Sequence, residues 1–169
     1  MVSKKVTWGL LAAWVVHDLE ELATMSSWTR RVHRKHPVIP ETAPAQAAIA
    51  IGTVGLVIAA AAADGARTGG RSGFFQSTLI GFGLHSTTHA AASAALRGYT
   101  PGVLTAPTLV APFSLWAWRQ LRRHNVPTSG NVAKSAAWFP IVVIAAHLTA
   151  RLCARTRPVT TPIRTEYFR

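Results

Sequence analysis

The chain has 169 residues, a single-domain length. Only 14 % of them are charged, against about 25 % in soluble domains, so a soluble fold would be short of charge to cover its surface. The net charge of +12 would point to nucleic acid in a soluble protein. Here, however, the cations lie between and after long apolar runs, where they meet anionic headgroups, and no nucleic-acid motif accompanies them.

That alternation predicts an all-α fold, a polytopic transmembrane helical bundle of about five spans in the cell membrane, with the lipid bilayer as partner and no nucleic acid. Residues 1–155 form the transmembrane domain in this reading. The first span covers residues 6–28. Trp8 and Trp28 are 20 residues apart, about 30 Å of helix, which places interfacial tryptophans at both edges of the hydrocarbon. The acids and the histidine inside the run argue for a retained span rather than a leader. A basic loop with Pro37 and Pro40 follows. The second span, residues 44–63, is rich in Ala and Gly, which let backbones approach closely; its small-residue face is the expected seam of a homodimer. Asp64 closes it, and a Gly-rich turn follows.

The third span covers residues 74–96 and ends in RGYTPG, with Pro101 and Gly102 suited to a type II turn. The fourth covers residues 103–118, where Pro107 and Pro112 predict a kinked or broken segment. The fifth covers residues 136–150. Residues 156–169 read as a basic, disordered tail. Cys153, the single cysteine, has no internal disulfide partner.

The informative stretch is WVVHDLEELAT in the first span. His17, Asp18, Glu20 and Glu21 fall within five residues near its middle, and each is expensive in hydrocarbon. At about 100° per residue, His17, Glu20, Glu21 and Thr24 share one face. The third span carries His85 and His89 one helical turn apart at similar depth. Two polar stripes at matched depth on different helices are what a metal site in a helical bundle requires. Imidazoles and carboxylates suit a divalent ion such as zinc, iron or manganese. The expected donors are His17, Glu20, Glu21, His85 and His89, with Glu21 as ligand or general acid/base. The same residue types also serve a proton path or interhelical hydrogen bonding. The third span offers no acid, which a symmetric two-metal bundle would use. His147, in the fifth span, is a further candidate ligand, and Tyr99 reads as an interfacial anchor more readily than as a hydroxyl directed at the site.

HDLEE at residues 17–21, in a first apolar helix, resembles the motif of the HXXEE domain family. HSTTH at residues 85–89 followed by RGYTPG at residues 97–102 resembles that family's second block, and the likeness extends over residues 8–150. The family is named for its motif rather than for an activity. The resemblance implies that His17, Glu20 and Glu21 are its characteristic residues, with His85, His89, Tyr99, Pro101 and Gly102 beside them.

The expected function is that of a membrane-embedded, metal-dependent enzyme acting on an apolar or amphiphilic small molecule, by hydrolysis ahead of oxidation. The alternative is a non-enzymatic membrane protein, such as a proton-coupled carrier component or a structural partner subunit.

Overall fold

The computed structural model describes residues 1–128 and 131–155; the tail expected from residue 156 onward lies outside them. Every regular element among the described residues is helical, with no strand: α1 (Lys4–His33), α2 (Pro44–Thr68), α3 (Gly73–Ala95), a π-helical turn (Ala106–Val110) that runs into α4 (Ala111–Arg123), and α5 (Val132–Arg155).

Local chemistry sets the helix ends. Ser3 caps α1 by accepting from the Lys5 N–H, and Arg30, Arg31 and His33 occupy its last turn, where cations complement the helix dipole. α1 therefore continues one turn beyond Trp28, into the basic segment. α2 also runs further than its apolar stretch. Asp64 does not end it but pairs with Arg67 at 2.7 Å on the helix surface. The chain turns instead at Gly69, whose φ of 63° is left-handed. Ser72 caps α3 by accepting from the Phe75 N–H.

Pro107 and Pro112 do not break the fourth segment. Pro107 falls in the first positions of the π-helical turn and Pro112 in the first positions of α4. The wider turn closes through the Ala111 N–H to Ala106 C=O bond, so the bond that Pro112 cannot donate is absorbed there. The helix then extends to Arg123, past the end expected near residue 118.

The helices contact one another in the order α1, α2, α5, α3, α4 and back to α1, with α2 also touching α3. α1 and α3 face each other across the interior. The core is filled by Leu10, Trp14, Ile58, Phe75, Leu79 and Phe82. Two glycines of α2 are used within the chain: a Cβ on Gly55 would lie 2.6 Å from the Trp14 ring, and one on Gly65 would lie 2.5 Å from Phe75.

Among the described residues two helices, α2 and the Ala133–Ala154 stretch of α5, are long and apolar enough to cross a membrane. The expectation was about five. α1 and α3 carry the ionisable and hydroxyl side chains that lower their apolar character, and α4 has 13 residues, only about 20 Å of helix.

Candidate metal centre

α1 presents its polar side chains inward. His17 is 1 % exposed, whereas Leu19, two residues along, is 58 % exposed. His17 and Glu21 lie one turn apart on the inner face, opposite His85 and His89 of α3. One ligand atom from each of His17, Glu21, His85 and His89 lies within 4.8 Å of every other. A set of three imidazoles and one carboxylate at this spacing can converge on a single ion.

The hydrogen-bond network assigns the imidazole tautomers. His89 Nδ1 lies 2.8 Å from the Pro101 C=O, which only accepts, so Nδ1 carries the proton. The Thr88 hydroxyl donates to the His85 C=O at 2.7 Å and is left to accept from His85 Nδ1 at 3.2 Å. The Thr105 hydroxyl donates to Glu20 Oε2 at 2.6 Å and accepts from His17 Nδ1 at 2.7 Å. All three histidines thus hold their proton on Nδ1 and offer the Nε2 lone pair. His17 Nε2 is buried with no hydrogen-bond partner among the described residues, and the Nε2 atoms of His85 and His89 face each other at 3.0 Å. Two lone pairs at that separation repel unless a proton or a cation lies between them. Glu21 Oε1 stands 3.6 Å from His89 Nε2, and no Lys or Arg pairs with Glu21 among the described residues.

Glu20, the fifth expected donor, is engaged elsewhere. Its Oε2 accepts from the Thr105 N–H at 2.9 Å as well as from the Thr105 hydroxyl. Its Oε1 accepts from the Tyr99 hydroxyl at 2.7 Å and the Leu104 N–H at 3.3 Å. The two glutamates therefore divide their work. Glu21 faces the imidazoles, while Glu20 ties the 99–105 segment to α1 and, through Thr105, orients the His17 ring. Tyr99 departs from its expected role as a mere anchor, because its hydroxyl reaches Glu20. Burial, with Glu20 and Glu21 nearby, raises its phenol above the ordinary value, which keeps it a donor. Trp28 Nε1 donates to the Tyr99 C=O at 2.7 Å and holds the same segment from below.

The turn between α3 and the π-helical segment is part of the centre. The Val103 N–H donates to the Thr100 C=O at 3.1 Å, and Gly102 has φ of 81°, as a type II turn requires. A Cβ on Gly102 would lie 2.6 Å from His89 Cε1 and 2.8 Å from His17 Cε1. Glycine is needed there twice over, for its backbone conformation and for the space the two rings occupy. Thr105 escaped the sequence reading: a threonine in an apolar stretch carries no signal of its own, and only its position three residues after the Pro-Gly turn places it near the site.

The family model described as a protein of unknown function with HXXEE motif matches residues 8–117. The match ends within α4, short of residue 150, so α5 lies beyond it. No curated protein and no solved structure matches the chain.

Proposed function

The chain belongs to the HXXEE family, and from that premise we propose that it is a membrane-embedded, multi-pass metalloenzyme that hydrolyses an apolar or amphiphilic small molecule. The observation that carries the reading is the convergence of one ligand atom from each of three imidazoles and one carboxylate within 4.8 Å, where among the described residues no Lys or Arg pairs with the carboxylate. A buried carboxylate left unpaired is costly, and a divalent ion neutralises it.

His17, His85 and His89 hold the ion. Glu21 would either supply a fourth donor or act as the general acid/base toward water at the site. A zinc ion held by three imidazoles makes bound water a nucleophile at neutral pH. Thr105 and Glu20 keep the His17 ring in place, and Pro101 does the same for His89.

The membrane setting is supported by the outward faces. Val16, Leu19 and Leu22 on α1, and Ile141, Ile144 and Leu152 on α5, are 42–60 % exposed, and a helical bundle in water would seldom leave such bands uncovered. Only 33 % of the apolar window of α2, and 17 % of that of α5, is buried inside the chain, unlike the core helices of a soluble protein. A site at this depth meets substrates that partition into lipid, which favours an apolar or amphiphilic molecule.

The test is the metal content of protein purified in detergent without a metal-affinity column, beside a His17→Ala, His89→Ala double variant. A near-stoichiometric divalent ion in the native chain and its loss in the variant is the expected result. Protein that neither carries nor takes up a divalent ion would sink the proposal and point to a proton shared between His85 and His89, as in a carrier component.

A further inference from the structure

Glu21 and His85, two of the four converging donors, also line a cavity of about 30 Å³ together with Asp18 and His147, with Trp14 and Phe139 as apolar walls. His17 and His89 do not line it. Glu21 and His85 thus belong both to the four converging donors and to the cavity lining, whereas Asp18 and His147 line the cavity without belonging to that set. The volume admits one ion with at most a water or two.

Asp18 is the telling residue. It is 7 % exposed, it lines the cavity, and no hydrogen bond or ion pair engages it among the described residues. A buried carboxylate without a partner is unstable as an anion unless something positive stands beside it. Among the described residues no lysine or arginine lines the cavity. His147, half-buried on α5, adds a nitrogen donor from a helix that the first set of ligands does not use. Glu21 belongs both to the converging donors and to the cavity lining, and a carboxylate can offer one oxygen to each of two ions.

We infer that a second divalent cation binds in this cavity, held by Asp18 and His147 and sharing the Glu21 carboxylate with the first ion. The inference rests on the metal-centre reading above and extends it to a two-metal site. Nitrogen and carboxylate donors in this mix suit manganese, iron, cobalt or zinc. Two ions bridged by a carboxylate stand about 3.5–4 Å apart, the spacing that clamps a displaced oxygen from both sides. α3 lacks the acids of a symmetric two-metal bundle, and the fold compensates asymmetrically, with an acid from α1 and a histidine from α5.

The experiment is a cobalt(II) titration of the full chain in detergent after removal of bound metal by a chelator, with ions per chain counted by elemental mass spectrometry after desalting. Asp18→Asn, which keeps the side chain's shape, and His147→Gln are titrated in parallel. The expected result is two cobalt ions per native chain and one per chain in either variant, the retained ion showing that the fold and the first site persist. Manganese(II) added in place of cobalt gives a spin-coupled resonance in the native chain and an isolated-ion signal in the variants. One ion per native chain, lost on His17→Ala but indifferent to Asp18→Asn and His147→Gln, would overturn the second site and leave the first. Two ions retained in both variants, or both ions lost in either, would overturn the assignment of Asp18 and His147. A native chain that takes up no cobalt would overturn the metal-centre reading and the second site with it.

Discussion

His17 Nδ1 lies 2.7 Å from Thr105 Oγ1, and the same hydroxyl gives its proton to Glu20 at 2.6 Å. A carboxylate, a hydroxyl and an imidazole in series fix both the tautomer and the tilt of the ring whose far nitrogen faces the centre. Thr105→Val keeps the shape and removes the relay. It is expected to weaken divalent-ion binding by roughly 10–100-fold, as loss of such an orienting partner does, while Thr105→Ser restores most of it. Competition against a chelator of known affinity measures both.

The two glutamates of the motif separate in the same assay. Glu21→Gln removes the charge of the carboxylate that faces the imidazoles and is expected to cost more metal affinity than Glu20→Gln, whose side chain lies outside the four converging donors. Glu20→Gln should instead loosen the 99–105 segment, because an amide cannot accept all four hydrogen bonds that now reach the carboxylate. Faster amide exchange at Leu104 and Thr105 is the signature. Equal metal loss in the two variants, with exchange unchanged, would contradict the division of roles.

Gly102→Ala places a side chain where φ is 81° and where two imidazoles already stand. Backbone strain alone costs about 1–3 kcal/mol, and displacement of His17 or His89 adds loss of metal. Gly98→Ala, four residues earlier, meets only a carbonyl oxygen at 3.8 Å and is expected to leave both melting temperature and metal binding near the native values. A thermal melt with and without added metal reads the pair.

A similar contrast runs along α2. Gly55→Ala drives a methyl to 2.6 Å from the Trp14 ring, whereas Gly52→Ala meets nothing within 4 Å. Overpacking is expected to cost about 1–3 kcal/mol at Gly55. The same change at Gly52 should be neutral or stabilising by up to about 1 kcal/mol, since alanine is the better helix former. Melting temperatures in detergent that moved together would show that the Trp14 contact does not constrain α2.

Helical geometry makes part of the site legible in the chain. His17 and Glu21 share a face because they are one turn apart, as His85 and His89 are, and the Pro-Gly pair announces its turn. Glu20 shows where that logic stops. It shares the His17 face by angle, yet its carboxylate is taken by groups from the 99–105 segment, about 80 residues away in the chain. Helical periodicity assigns a side chain to a sector; the packing partner decides which neighbour it meets within that sector.

The sequence by itself determined the helical class, the depth-matched His and Glu stripes and the family, because apolar runs, one-turn spacings and short motifs are local properties of the chain. Only the tertiary structure decided that Glu21 rather than Glu20 faces the imidazoles, that Thr105 and Gly102 lie against His17 and His89, and that Asp18 and His147 line one small cavity. Those relations depend on α1, α3, α5 and the 99–105 segment converging in space, and contacts between residues so far apart in the chain leave no periodic trace along it.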